Sequence, residues 1–520
     1  MLQPLYDNYI RFARTELISW DAKLNGRWLR LLGNDISWAA GTEIRYESYG
    51  DKRPPYAGVN PPSDPNPLLR RNDNDFIALS PSINLSANRT IYSAYSEVLL
   101  PVVTSANRFV GVRSLEFTAA GRFEQFPGFG DATKPKFAVG WNPVAWIKLR
   151  GSLSRSFRAP NLVQTNVSPL QRSIDGISDP YRSEVTGLSI DGSTSRTVFR
   201  QGNQSLRPEL GKGRSIGAVI DVPGLRGFSL TADAWKVDLT DVIANTTGRR
   251  QLLRDELLLD LETQRQLAAG TAIGSVNLGS GSTGYKGNPA VTRLTPTSAD
   301  IAFFTTFNAR RPRAEQRATV GRVQSLIDDY TNLGLRERSG WDLGAQWRSP
   351  RSSLGTLLFR AEVSRRLTFG EQLDPDSLVE SFLGEDGIAR WRGNFSANWR
   401  HREWSAGWFT SYFGRWVDTT ALTTRAVYDA LGGPDYIKVF NDDGIVRYAW
   451  HAQPTILHNL NFSWRPVGSD RKWLRGVTIR GGLNNVLNTP PVVIDNGYGY
   501  QPSTGGTRGR QYWMEISRRF

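Results

Sequence analysis

The chain has 520 residues, a net charge of +15, 11% aromatic residues, 50 glycines and no cysteine. The lack of cysteine excludes a disulfide framework, a thiolate metal site and a cysteine nucleophile. No run of 18 apolar residues exists, so no transmembrane helix is expected.

Three widely spaced histidines, His401, His451 and His458, match no metal-ligand pattern. The opening 30 residues lack a basic start followed by an apolar core, so an export signal would have to lie upstream. The positive charge is scattered in short pairs, such as the arginines at 70, 249, 310 and 365, without a recognition motif. A nucleic-acid partner is therefore not expected, whereas anionic lipid headgroups would attract the same charges.

Period-two alternation predicts strands over 14–29, 35–48, 89–103, 110–124, 135–142, 146–157, 213–221 and 227–243. It predicts further strands over 330–348, 355–368, 391–400, 404–416, 454–465, 475–485 and 510–519. In 146–157, Ile147, Leu149, Leu153 and Phe157 fall on one side and Lys148, Arg150, Ser152, Ser154 and Ser156 on the other. In 227–243 the alternation slips near Trp235, as a bulge or the end of a membrane-embedded part would produce. The last strand places Tyr512, Met514, Ile516 and Phe520 on one face, with Trp513 and Arg518 breaking the pattern.

Short connections such as "LLGN", "NPVA" and "RHRE" alternate with long ones, among them 49–88, 158–212, 244–329 and 417–453. A soluble sandwich gives no reason for that one-sidedness, whereas an outer-membrane barrel has tight turns below and longer loops above. The expected fold is therefore all-β: one antiparallel transmembrane β-barrel domain over 1–520, with large extracellular loops at 158–212, 244–329 and 417–453. Fifteen strands is an odd number and the first descends, so at least one ascending strand is expected upstream. Residues 249–270 read as a helix packed inside the large loop through the stripe Leu253, Leu257 and Leu261.

Several ordered motifs resemble the TonB-dependent outer-membrane receptors. "SLSRSFRAPNLVQ" at 152–164 looks like their strand-to-loop motif, and "GNQSLRPELGKGRSIGAVID" at 202–221 like their Asn-x-x-Leu-x-Pro-Glu segment. "FSLTADAWKVDLTDVI", "YTNLGLRERSGWDLGAQW" and "IRGGLNNVLNTPPVV" follow in the family's order, and "GRQYWMEISRRF" is similar to its last strand. The resemblance implies about 15 or 16 strands of a 22-strand barrel in the bacterial outer membrane, with the plug and the segment that recruits the TonB energy-coupling complex upstream. It implies uptake of a scarce nutrient such as an iron-siderophore complex, with haem, cobalamin or carbohydrate as other ligands. A passive porin or a non-functional barrel fragment is the alternative. Lipids, lipopolysaccharide, the barrel-assembly machinery and a small-molecule ligand are the implied partners, the terminal strand with Tyr512, Met514, Ile516 and Phe520 serving assembly.

Loop tips and upper lumen side chains would capture the ligand, which singles out Arg158, Asn161, Tyr181, Arg182, Arg310, Arg311, Trp416, Tyr498 and Tyr500. Arginine holds carboxylate or phosphate bidentately, and tyrosine or tryptophan stacks on flat rings. No catalytic residue, cofactor or metal site is expected. Paired carboxylates such as Asp328 and Asp329, or Asp442 and Asp443, read as solvated loop charge.

Overall fold

The structure is a computed structural model describing residues 9–54, 84–128, 130–166, 170–192, 194–200, 202–372, 378–418, 423, 425–442, 445–466, 474–494, 499–500 and 508–519. Its first half contains β1 (Phe12–Leu31), β2 (Asn34–Lys52), β3 (Leu85–Val103), β4 (Ser114–Phe126), β5 (Gly130–Val144), β6 (Ile147–Arg158), α1 (Leu162–Asn166), β7 (Leu170–Ile177), α2 (Pro180–Thr186), β8 (Thr194–Arg200), β9 (Glu209–Asp221), β10 (Phe228–Thr240), β11 (Ile243–Asn245) and α3 (Gly248–Ala268). Then follow β12 (Val291–Arg293), α4 (Ser298–Asn308), β13 (Val323–Ile327), β14 (Tyr330–Asn332), β15 (Arg336–Arg348), β16 (Thr356–Gln372), β17 (Val379–Ser381), β18 (Trp391–His401), β19 (Trp404–Phe413), β20 (Trp416–Asp418), α5 (Arg425–Ala430), β21 (Ile437–Asp442), β22 (Ile445–Ala452), β23 (Thr455–Trp464), β24 (Val477–Asn484) and β25 (Gln511–Arg518).

One sheet of sixteen strands dominates, in the order β1-β2-β3-β4-β5-β6-β9-β10-β15-β16-β18-β19-β23-β24-β25, with β17 paired to β16. Each of the fifteen strands expected from alternation contributes to that path. Neighbours along it are antiparallel, and cross-strand partners share a face. Leu343 thus pairs with Ala232 and Val363, and Ala232 with Ala218, in one apolar row on the outer face. Nothing among the described residues stacks on that face: Leu24 and Ile216 are each 70% exposed, and Met514 is 72% exposed. Moving each such side chain out of water is worth roughly 1.5–3 kcal/mol, a gain that a hydrocarbon phase supplies where no second sheet covers them. No helix is long and apolar enough to cross a membrane, so any crossing falls to the strands.

Aromatic residues mark both ends of the outer face. At the long-loop end Trp341 meets Trp391 edge-on at 5.3 Å, and at the other end Trp404 stacks on Trp464 at 5.8 Å. Amphipathic rings concentrate at the two membrane interfaces because one edge prefers water and the body prefers hydrocarbon. The tight ends include a two-residue turn at Leu32 and Gly33, both at positive φ (51° and 82°), as a hairpin of primed type requires.

Boundaries differ from the sequence reading where a turn intrudes. Residues 110–113 belong to a small turn bridged between Phe109 and Val112, so β4 starts only at Ser114. Residues 330–332 form β14, which pairs with β11 and not with the large sheet. The connection 127–129 is short although it lies on the long-loop side. No bulge interrupts β10 at Trp235: its pairing with β9 and β15 runs unbroken past that residue. What changes there is the outer face itself, which turns polar at Lys236 and Asp238 as the strand leaves the apolar band.

Trp513 and Arg518, the two exceptions in the last strand, acquire reasons. Trp513 lies on the inner face opposite Gly482, where an added Cβ would meet its Nε1 at 2.7 Å. Arg518 lies on the outer face but at the short-turn rim, opposite Val477. Tyr512, Met514 and Ile516 share the outer face with Leu483, Gly481 and Ile479, while Phe520 lies outside the described residues.

The buried apolar cores lie in the loops. Loops 159–208 and 241–335 interlock into one knob around the four-stranded sheet β12-β13-β8-β7, in which β13 runs parallel to β8. Its cores gather Tyr181, Leu259, Phe304 and Val320 on one side, and Ile177, Val198, Leu252 and Leu326 on the other. The helix expected over 249–270 is α3, but it packs through Leu252, Asp255, Leu259, Thr263 and Leu267. Leu253, Leu257 and Leu261 point outward, 46%, 58% and 59% exposed. Tertiary pairing decides this: Asp255 is buried because Arg293 reaches it from 38 residues away.

Candidate functional site

The inner face carries the polar half of every alternating strand, and its charges fall into two zones. On β2 to β5 the ladder Arg89, Glu47, Arg45, Glu43, Arg122, Glu124 and Lys134 is continuous, with contacts of 2.8 Å from Arg89 to Glu47 and 2.7 Å from Arg122 to Glu124. Cations and carboxylates alternate there, so each charge has its counterpart within the wall.

The second zone, at the long-loop ends of β15, β16 and β18, lacks that balance. Register places Arg336, Arg338, Arg366 and Arg392 on the inner face of three adjacent strands. Glu371 is their one carboxylate among the described residues, 2.8 Å from Arg336 and 3.1 Å from Arg338. The guanidinium of Arg338 lies 4.1 Å over the ring of Phe369, which Arg366 also approaches at 5.7 Å. Arg392 lies 4.4 Å over Phe413. Among the described residues Nε of Arg338 is buried without a hydrogen-bond partner, and the side chains of Arg366 and Arg392 reach only the carbonyls of Ala389 and Gly387, at 3.5 and 3.4 Å. Guanidiniums held on aromatic faces and short of carboxylates suit an incoming anion, and Arg366 and Arg392 could hold one without breaking an ion pair.

Phe413 connects this zone to a second feature. Its ring packs against the cluster of Trp416, Ala452 and Ile494, where β20 and β21 flank β22. Beside that cluster lies a cavity of about 430 Å³, walled by Tyr436, Trp450, His451 and the stretch from Thr489 to Val493. Tyr436 and Trp450 meet there with centroids 5.1 Å apart. His451 Nε2 and Thr455 Oγ1 are buried without partners. Burial, with Lys438 and Arg415 nearby, holds the His451 imidazole below its ordinary value and so favours the neutral ring. Aromatic walls with unpaired polar atoms fit a ring-bearing ligand.

The residues chosen from sequence are dispersed. Tyr181 and Arg182 have no exposed surface and act inside the knob. The Tyr181 hydroxyl donates to the carbonyl of Ala318 at 2.9 Å, and burial pushes that phenol well above its ordinary range. Arg182 pairs with Asp191 at 2.9 Å and Asp300 at 2.7 Å, so neither residue can touch a ligand in this conformation. Trp416 is equally a packing residue, 2% exposed. Asn161 caps α1, its side chain accepting from the Gln164 amide at 2.8 Å while Gln164 accepts from its own at 2.9 Å. Arg158 pairs with Glu209, which also accepts from the Ile243 amide at 2.7 Å.

Arg310 and Arg311 border a hollow of about 630 Å³ on the knob, where Arg311 pairs with Glu184 at 2.8 Å. Tyr500 bridges to Val493 beside the aromatic cavity, and Tyr498 lies outside the described residues. Asp328, expected as solvated charge, is buried and paired with Arg200 at 3.0 Å. Asp443 lies outside the described residues, as does the side chain of Asp442. The wall arginines were missed because each is an ordinary wet-face residue until strand pairing collects them. The signal available was the Arg336-Glu337-Arg338 spacing and the pair Arg365-Arg366. Among the described residues no group of three or more His, Cys, Asp or Glu could hold a metal ion.

Similarity to known proteins agrees with this architecture. No curated protein sequence matches the chain. Its fold is similar to the siderophore receptor PirA from Acinetobacter baumannii, at 13% identity and TM-score 0.56, covering 98% of this chain and 55% of that one. It is similar also to a mutant ferric enterobactin receptor, PfeA from Pseudomonas aeruginosa, in complex with enterobactin, at 13% identity and TM-score 0.55, over 97% and 54% of the two chains. A third likeness is to the outer membrane transporter YddB from Escherichia coli, at 9% identity and TM-score 0.53, over 98% and 55%. The chain thus spans about half the length of these solved structures. The family model described as TonB dependent receptor-like, beta-barrel matches residues 3–486, and the chain belongs to that family.

Proposed function

We propose that this chain is the barrel wall of a bacterial outer-membrane receptor that binds an anionic, ring-bearing nutrient at its long-loop end. In that reading the nutrient is an iron-siderophore complex and its uptake is energised through the TonB complex. One observation carries the proposal: Arg336, Arg338, Arg366 and Arg392 converge on the inner face with Glu371 as the single carboxylate paired with them among the described residues, next to the cavity of Tyr436 and Trp450. A negatively charged chelate with aromatic arms meets guanidinium forks and stacking rings in one place. Family membership and the likeness to solved siderophore receptors support the same reading.

Tryptophan quenching of the full chain in detergent tests it, with a trianionic ferric tris-catecholate and a neutral ferric hydroxamate as probes. The charged probe should bind, and Arg338→Gln with Arg366→Gln and Arg392→Gln should weaken it roughly tenfold, about the worth of one lost charge-assisted bond. Equal affinity of the triple variant and the parent chain for the charged probe would overturn the assignment.

A further inference from the structure

The opposite end of the sheet holds a second concentration of arginine. A hollow of about 560 Å³ is lined by Arg400, Arg402, Arg465, Arg480, Arg518 and Arg519, with Glu403 as the one carboxylate among the described residues of its wall. These residues come from the tight turn between β18 and β19, the connection from β23 to β24, and the end of β25. All three lie at the short-turn end.

Among the described residues no carboxylate is within ion-pair distance of Arg400, Arg402, Arg465 or Arg519. Arg480 reaches Glu515 only at 3.5 Å, both side chains being half exposed. The Glu403 carboxylate accepts from Trp464 Nε1 at 3.3 Å. Leaving Arg518 out, Glu403 and Glu515 set against the other five guanidiniums still leave three positive charges among the described residues around one hollow. Guanidiniums packed at this density repel one another until an anion sits between them, and the hydroxyls of Ser405, Ser463 and Ser517 in the same wall add neutral donors.

The position of the hollow says which anion. Ser463 pairs with Arg480 and Ser405 on the inner face, whereas Arg518 and Trp404 belong to the outer face, so the hollow wraps over the rim from one side to the other. Trp404, part of its wall, stacks on Trp464 and so marks the interfacial level. Directly along the outer face from the rim, Ile479 pairs with Ile516, which is 63% exposed and offers acyl chains an apolar surface continuous with the charged one. We propose that this rim hollow binds the phosphate of an anionic phospholipid, the headgroup held by the arginines and the tails lying along β24 and β25. A free phosphate would use the same forks but gain nothing from the apolar strip.

The test is native mass spectrometry of the full chain released from neutral detergent, after titration with phosphatidylglycerol, with phosphatidylcholine or with inorganic phosphate. Phosphatidylglycerol should be retained roughly tenfold more tightly than phosphatidylcholine, and Arg402→Gln with Arg465→Gln and Arg519→Gln should remove that preference. Arg249→Gln with Arg250→Gln and Arg254→Gln, which removes the same charge from the knob, should leave it intact. If the rim variant folds poorly, Arg402→Gln alone should lower retention about threefold. Unchanged retention in the rim variants, equal loss in the knob variant, or full displacement of the lipid by inorganic phosphate would each overturn the proposal.

Discussion

The guanidinium of Arg293 lies 2.6 Å from the carboxylate of Asp179, and neither side chain keeps any exposed surface. The two residues come from different loops, 114 positions apart, and their contact ties those loops into a single knob. Arg293 also holds Asp255 on α3 at 2.8 Å and donates to the Tyr285 hydroxyl at 2.9 Å. Burial alone would lower its guanidinium, but Asp179 and Asp255 hold it well above the ordinary value.

Removing Arg293 strands two buried carboxylates, a loss of the kind that costs about 3–5 kcal/mol. Arg293→Ala should therefore open the knob to limited proteolysis within 159–208 and 241–335 while the sheet, which Arg293 does not touch, keeps its resistance to detergent. Cleavage mapping of the folded chain checks this, and an intact knob in the variant would show that the loops are held by their apolar cores alone.

The outer face yields a prediction about medium. Leu343 sits mid-strand among Ala232, Val363 and their neighbours. In a bilayer Leu343→Arg should cost about 2–4 kcal/mol, as a cation near the midplane does. Ser364→Arg, one residue beyond Val363 and on the polar inner face, should cost far less. Folding yield into phosphatidylcholine vesicles compares them, and equal yields would contradict a hydrocarbon contact at Leu343.

The knob should also respond to acid. Burial raises the carboxyls of Asp255, Glu256 and Asp260 above their ordinary values of 3.8, 4.5 and 3.8, with Arg293 or Arg317 opposing. Groups raised on folding hold protons that the unfolded chain releases, so their contribution is complete below those ordinary values and is lost as pH rises through the raised ones. Asp300 acts with the opposite sign: burial would raise it, but hydrogen bonds from Thr297 and Arg182 leave it lowered, so its contribution is present above 3.8 and lost as pH falls through the lowered value. Amide exchange in α3, corrected for its intrinsic rate, should be slower near the ordinary carboxyl range, at about pH 4, than at about pH 7.5, and Asp260→Asn should shrink that difference.

The strands were readable because their signal is local. In β6, side chains two apart share a face, so Ile147, Leu149 and Leu153 opposite Lys148, Arg150 and Ser152 report both the conformation and its surroundings. Loop structure has no such period. Tyr181 and Arg182 looked like ligand contacts because polar and aromatic residues in long loops usually meet solvent, and only Asp191, Asp300 and Ala318, brought from two loops, show them buried. Helix α3 was legible as a helix, yet its buried side was chosen by Arg293 and not by its own leucines.

The sequence by itself determined the backbone class and the solvent of each sheet face, because alternation writes both into neighbouring residues. It could not determine where charge accumulates. Arg338, Arg366 and Arg392 are unremarkable in their own strands, and so are Arg402, Arg465 and Arg519 in theirs. Register brings the first group together above Glu371, and the convergence of turns gathers the second at the rim. Electrostatic surplus is a property of distance between chains of atoms, and only the folded sheet sets that distance.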